Sequence, residues 1–529
     1  MIRAMTKVPP QATQRPPVGL VLLGAVPAAL VILPIAITVA DAVTAGAARM
    51  LALVWRPLVG DLLINTVTLT LAAAICCVGL GTASAFLVER TDLPARSVWA
   101  VLATAPLAVP AFVASYAWVS ISPALEGFGG ALIVTVFAYT PLVYLPVAAA
   151  LRGLDPALED AARALGDTPW RCVRRVILPQ LRPAMLGGAL LVTLNILVEF
   201  GAFALMRFRT FTTEIYAAYR SGFDGAEAAA LAMILLLFCL GCIAAEALLR
   251  RPVHYARIGR GTQRRGVPYA LGVWRLPAVL GFAALAGLSL GVPILTVLYW
   301  LTRHGAAAIT PAEASPLALL TAAISTIELG LGAAGLTLIL ALPLAVLSAR
   351  WQRFSLTMPL ERGAWLAQGV PGIVIALALI TATIAAVPAL YQSTLLLLLA
   401  YAMLFMPFAL VAMRAALLQS ERRAEEAAKS LGAGWRRVLW RITLPLAAPG
   451  FGAAAALVFI AVTTELTATL LLAPIGTETL ATRIWGDTST LAFAAAAPYA
   501  AVLITLSMAA SWLLARRFGM AALHAQAGG

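Results

Sequence analysis

Apolar residues run along this chain in blocks of about twenty, the length an α-helix needs to cross a hydrocarbon core about 30 Å thick. The blocks lie near residues 18–40, 62–88, 99–120, 129–150, 185–206 and 227–249, then near 275–301, 320–348, 365–388, 393–415, 448–472 and 491–515. Short polar or basic stretches separate them. The pattern predicts an all-α integral membrane protein of about 12 transmembrane helices, with both termini on one side. The first block follows Arg3, Lys7 and Arg15 as a secretory signal would, but its apolar run of about 23 residues exceeds a signal core, so it reads as a retained helix.

Two polar islands interrupt the pattern and resemble each other. "EDAARALGDTPWRCVRRVILP" fills residues 159–179 and "EEAAKSLGAGWRRVLWRITLP" fills 425–445, at an offset of 266, and nine of the 21 positions are identical. Other features recur at nearly the same distance: Arg90 and Arg350 at span ends, "AVPAFV" from Ala108 and "GVPGIV" from Gly369, Tyr139 and Tyr401, Arg152 and Arg414. Six spans per half is an even number, so the halves share one orientation about a pseudo-twofold axis along the membrane normal. The basic segment from Arg250 to Arg275 reads as their connector.

Composition agrees with a bilayer protein: 62% of the 529 residues are hydrophobic and only 11% charged, where a soluble domain has about 25% charged residues. The net charge of +14 changes meaning once topology is counted. With a cytoplasmic N-terminus, 30 of the 37 Lys and Arg residues fall in inside segments or at their edges, so the charge records orientation. It predicts contact with lipid and no nucleic-acid partner. Cys76, Cys77, Cys172, Cys239 and Cys242 lie in or near apolar spans and read as small hydrophobes. His254, His304 and His524 show no metal-ligand spacing, and no metal site is expected.

Within each island an acid, two alanines and a leucine suit a short helix with a small-residue face. Gly166 or Gly432 suits its end, where positive φ is cheap. A turn and a second helical segment ending at Pro179 or Pro445 follow. Small residues permit close approach of another surface, and Arg171, Arg175, Arg437 and Arg441 can meet acidic groups or lipid phosphates. One copy alone reads as an amphipathic connector on the inner leaflet. Two copies with the same internal spacing read as docking elements.

These islands resemble the signature of permeases of binding-protein-dependent ABC importers: "EAA", a glycine, then a terminal Leu-Pro. "EAAKSLG" from Glu426 and the Leu444–Pro445 pair match closely, and the first copy departs only in Asp160 for glutamate. The resemblance implies two fused six-helix permease units, type I ABC importer-like. The first would be 1–260 with coupling loop 152–184, and the second 261–529 with coupling loop 416–447. It further implies coupling helices on which two copies of a cytoplasmic ABC ATPase seat, with Asp160, Ala161, Ala162, Gly166, Glu426, Ala427, Ala428 and Gly432 as coupling residues. An extracytoplasmic binding protein would deliver cargo to outward loops such as 206–224 and 474–489. The fused form, with "VEFGAFALMRFRTFTTEIYAAY" from Val198 and "TTELTATLLLAPIGTETLATRIW" from Thr463, most resembles the iron(III) importer subgroup. Thiamine, polyamine and phosphonate permeases are related. A bacterial inner-membrane location with cytoplasmic termini follows.

Nucleotide chemistry would belong to the partner. A P-loop needs GxxxxGK[ST], the chain's lysines are Lys7 and Lys429, and Lys429 follows alanine inside the docking motif. No cofactor is expected on this chain, ATP and Mg being used by the ATPase, and no enzyme activity of its own. Ionisable residues inside spans suggest function. Glu199 and Glu465 differ by 266 and each lies about twenty residues beyond its Leu-Pro, so they are candidates for a translocation path at the interface, or alternatively for helix-end caps. Glu328 has Thr68 opposite it and reads as locally bonded. The rival reading is an ion-coupled secondary transporter with Glu199 or Glu465 as proton site. An intramembrane enzyme lacks any paired nucleophile and base.

Overall fold

The computed structural model describes residues 16–44, 46–222, 224–249, 268–303, 315–420, 422–514 and 516. Most of the 250–275 connector and all three histidines lie outside these. In the first unit the principal helices are α1 (Val18–Thr44), α2 (Pro57–Arg90), α3 (Phe128–Gly153), α4 (Pro156–Ala164), α5 (Pro169–Val198) and α6 (Gly225–Leu249). The second unit repeats the order with α7 (Gly272–Leu301), α8 (Pro316–Arg350), α9 (Thr394–Gln419), α10 (Arg422–Ser430), α11 (Trp435–Thr463) and α12 (Phe493–Leu514). Apart from α4 and α10, these are ten helices long and apolar enough to cross a membrane.

The remaining two expected spans, 99–120 and 365–388, are not straight helices. Each is a pair, Arg96–Ala108 with Ala111–Ile121 bent by 90°, and Thr357–Gly369 with Gly372–Ala386 bent by 106°. The breaks fall at Pro110 and Pro371, the prolines of the paired "VP" dipeptides. Proline has no N–H to give and pushes the residue before it out of helical geometry. Val109 and Val370 accordingly have extended backbones.

Expected spans 185–206 and 448–472 are shifted. α5 and α11 begin inside the islands and end at Val198 and Thr463, before short helices at Gly201–Leu205 and Thr467–Leu472. Pro179 and Pro445 do not end their segments. A π turn precedes each, Val173–Ile177 and Leu439–Thr443, and such a wide turn absorbs a missing backbone bond without ending the helix.

α2 and α8 contain 34 and 35 residues, about 50 Å each, so they outreach the hydrocarbon core. Buried threonines of α8 and α3 return their hydroxyls to their own helix: Thr337 donates to Ala333 O at 2.6 Å and Thr135 to Ala131 O at 2.7 Å, the kind of internal partner a dry environment favours. Small residues bring helices together. A Cβ on Gly188 of α5 would stand 2.8 Å from Val143 Cα, and one on Gly81 of α2 would stand 2.8 Å from Val143 Cβ.

Each unit's first helix packs on the other unit. Gly24 of α1 lies against Leu344 and Leu347 of α8, and Ala28 lies beside Gly363 of the second bent pair. Phe282 of α7 meets Trp99 of the first bent pair at 5.5 Å. The two hydrophobic cores follow this exchange: Leu20 and Val31 belong with the second unit's core, and Phe282, Leu290 and Val297 with the first's.

Candidate functional site

Both islands fold as the same device. In α4, Asp155 caps the N-terminus by accepting from Ala157 N at 3.0 Å, and Pro156 starts the helix. The C-termini match bond for bond. Gly166 N donates to Arg163 O and Asp167 N to Ala162 O, each at 3.0 Å, while Gly432 N donates to Lys429 O and Ala433 N to Ala428 O, each at 3.0 Å. Gly166 and Gly432 hold φ of 87° and 84°, the left-handed conformation that closes a Schellman cap and that glycine adopts without strain.

The cap leaves one leucine per copy in solvent, Leu165 and Leu431, each 88% exposed. Asp160, Ala161 and Gly166 are exposed with Leu165, and Glu426, Ala427 and Gly432 with Leu431. Ala162 is instead buried and Ala428 half-buried, so the small-residue face divides between an outer contact surface and inner packing. Each copy thus presents one exposed apolar side chain on a polar helix. The sequence reading assigned the leucines no contact, although both stand among the identical positions.

The inner anchor was also missed. Glu159 and Glu425, just before the acids singled out from sequence, are 4% and 6% exposed. Glu159 pairs with Arg90 at the end of α2, and Glu425 with Arg350 at the end of α8. Arg350 also donates to Leu417 O at 2.6 Å and to Ser420 Oγ at 2.5 Å, and Thr443 donates to Glu425 Oε1 at 2.9 Å. Buried charges persist when their remaining hydrogen-bonding capacity is met. α4 and α10 are thereby each tied to the longest membrane helix of their unit.

In the first unit the satisfaction comes from across the chain. Tyr269, just before α7, donates its hydroxyl to Glu159 Oε2 at 3.0 Å, and its backbone N donates to Arg90 O at 2.8 Å. The Arg163 guanidinium lies over the Tyr269 ring, 4.8 Å from its centre. Asp92 N donates to Tyr269 O at 3.2 Å, and Leu271 N and Arg275 donate to the Asp92 carboxylate at 2.8 and 2.5 Å. The Leu271 N–H and then Arg275 hold the Asp92 carboxyl below its ordinary range. Burial pushes the Tyr269 phenol up to about 12, so it remains a donor at neutral pH.

Glu199 and Glu465 stand where α5 and α11 end. Glu199 Oε1 accepts from Ala202 N at 2.9 Å and Oε2 from the Tyr139 hydroxyl at 2.8 Å. Glu465 Oε1 accepts from Ala468 N at 2.7 Å, while Tyr401, the counterpart of Tyr139, pairs with Thr469 at 2.7 Å. Both carboxylates therefore do cap the short helices that follow. The residues beside them meet across the seam between units: a Cβ on Gly201 would meet Leu466 at 2.7 Å. Glu328 differs from its expected local bond, being exposed on α8 with no hydrogen bond or ion pair among the described residues. Among the described residues no three His, Cys, Asp or Glu side chains converge as a metal site.

Comparison with known proteins gives this geometry its context. Residues 77–255 and 341–519 each match the family described as binding-protein-dependent transport system inner membrane component, so the match recurs once per unit and includes both α4 and α10. The chain is 36% identical over 495 residues to the Fe(3+)-transport system permease protein FbpB 2 of Haemophilus influenzae, covering 93% of this chain and 97% of that one. It is 26% identical to the ferric transport system permease protein FbpB of Actinobacillus pleuropneumoniae over 73% of this chain and 58% of that one. With the sulfate transport system permease protein CysT of Escherichia coli it shares 30% identity over 23% of this chain and half of that one.

Proposed function

The chain belongs to the family of binding-protein-dependent transport system inner membrane components, and we propose that it is the membrane path of an importer carrying ferric iron into the cell. The cargo reading rests on the named transport of the two ferric relatives and on the 93% span of the first match. The protein crosses the bacterial inner membrane many times, and the distribution of Lys and Arg supports cytoplasmic termini.

α4 and α10 each receive one copy of a cytoplasmic ATPase, which holds ATP and Mg. Leu165 and Leu431 enter apolar hollows there, and Asp160 and Glu426 set the charge around them. The observation that carries this reading is the matched pair of Schellman-capped helices, each lashed to a long membrane helix by a buried Arg–Glu pair. ATP-driven approach of the two ATPases moves α4 and α10 together. The buried pairs pass that displacement to α2 and α8 as rigid-body motion, which switches access between the two sides.

A binding protein outside releases cargo above the seam, where Glu199 and Glu465 offer hard carboxylate oxygens suited to a hard cation. Two carboxylates without a third ligand hold such a cation weakly, as passage requires.

The test is purification of the permease together with the ATPase and binding protein encoded beside it. Leu165→Asp with Leu431→Asp is expected to abolish ATPase retention while the permease remains folded. Retention and transport unchanged in that variant, and in the Asp160→Arg, Glu426→Arg variant, would overturn the docking assignment. The cargo is tested on the binding protein's melting temperature: stabilisation by a polyamine or thiamine and not by Fe(III) would replace iron while leaving the importer in place.

A further inference from the structure

Two short segments at the opposite end of the molecule from α4 and α10 share one design with inverted charge. "RTFTTEIY" begins at Arg209 and "ETLATRIW" at Glu478. In each, a threonine caps a short helix, Phe211–Arg220 or Leu480–Ser489, with Thr210 N donating to Thr213 Oγ1 and Thr479 N to Thr482 Oγ1, both at 2.9 Å. The residue before the cap pairs with the fifth residue after it. Arg209 donates to Glu214 at 3.0 Å in the first unit, and Arg483 donates to Glu478 at 2.8 Å in the second. The bonds match while the signs are exchanged.

Exposure turns this exchange into a field. Arg209 is 62% exposed and Glu214 19%, whereas Glu478 is 48% exposed and Arg483 25%. The outward member is thus a cation in one unit and an anion in the other. Two more outer pairs of the first unit repeat its polarity, Arg56 with Glu227 and Arg207 with Glu126, the arginine being the more exposed each time. Arg220 is exposed there too, and the exposed carboxylate at that end of the first unit, among the described residues, is Asp61. Arg303 stacks on Tyr299 at the end of α7, the second unit's helix that lies against the first.

Both segments sit at one mouth, away from the docking helices. Asn65 of α2 donates to Arg209 O at 3.1 Å, and Leu480 N donates to Thr326 of α8 at 2.9 Å. Each anchor lies about 25 residues, or about 37 Å, along its helix from Arg90 or Arg350, beyond the hydrocarbon thickness of about 30 Å. The aromatic residues closing the two motifs, Tyr216 and Trp485, both pack on Phe200, at 4.6 and 5.1 Å, beside Glu199. The inverted pairs flank one entrance.

We propose that this mouth is electrostatically polarised across the pseudo-twofold axis and fixes a single docking orientation for the binding protein, with an acidic lobe over the first unit and a basic lobe over the second. The inference rests on the importer reading. A two-lobed partner can meet a pseudo-symmetric mouth in two ways, and like charges facing each other disfavour the wrong one.

The chemistry allows a clean test, because exchanging the members of a pair keeps the bridge and reverses only its outward sign. The full permease–ATPase complex in lipid nanodiscs, carrying Arg209→Glu with Glu214→Arg or Glu478→Arg with Arg483→Glu, is mixed with the binding protein encoded beside it. Each exchange is expected to slow association at least ~5-fold at about 50 mM salt and to converge on the unaltered complex at about 500 mM. Photocrosslinkers at positions 207 and 475 are expected to capture opposite lobes. Unchanged association in both exchanges, or capture of both lobes equally at both positions, overturns the polarity and leaves the importer standing. No association with the unaltered complex overturns the importer reading and this inference with it.

Discussion

The Tyr269 hydroxyl donates to Oε2 of Glu159 at 3.0 Å, joining two residues 110 positions apart. The start of the second unit is thereby seated against α4 of the first. α10 has no such visitor among the described residues, its Glu425 being served by Thr443 and Arg350 of its own unit. Among the described residues, α4 and α10 are therefore held differently.

Tyr269→Phe removes one hydrogen bond to a buried carboxylate, worth about 1.5–3 kcal/mol. Hydrogen exchange in residues 156–164 is expected to quicken about tenfold or more, with no change in 422–430. Equal quickening in both helices would mean that Tyr269 acts on the fold at large.

Arg350→Ala leaves Glu425 charged and buried, a loss of about 3–5 kcal/mol. Glu425→Ala in the same chain removes the stranded charge and is expected to recover a large part of that loss. A thermal-melt double-mutant cycle on the nanodisc-held protein measures the coupling, and additive losses would refute the buried pair as an anchor.

Two glycine substitutions separate backbone strain from crowding. Gly166→Ala adds a Cβ into open space but at φ 87°, a cost of about 1–2 kcal/mol confined to the end of α4, so ATPase retention falls while the melting temperature barely moves. Gly188→Ala drives a Cβ to within 2.8 Å of Val143 Cα, and overpacking of about 1–3 kcal/mol lowers the melting temperature of the whole protein. Pull-down and melting measured side by side distinguish the two.

Glu199→Gln and Glu465→Gln keep the oxygen that caps the following helix and remove the negative charge. Folding and ATPase retention are expected to hold while uptake of ferric iron by proteoliposomes falls about tenfold or more, in line with the cost of cation passage without fixed countercharge. Uptake unchanged in the double variant would reduce both residues to caps.

The sequence by itself determined the membrane class, the doubled plan and the two short helices of the islands. Hydrocarbon leaves the backbone no partner but itself, so apolar run length alone specifies helices, and the Gly166 and Gly432 caps are local chemistry. Tertiary structure decided the rest. Pro27, Pro34, Pro141, Pro146 and Pro407 sit inside unbroken helices while Pro110 and Pro371 break theirs, so a proline's effect depends on what neighbouring helices can satisfy. Which acid of Glu159 and Asp160 turns inward was fixed by where the end of α2 places Arg90. The exchange of first helices between units and the reach of Tyr269 to Glu159 join residues far apart in the chain, and no local propensity encodes such pairings.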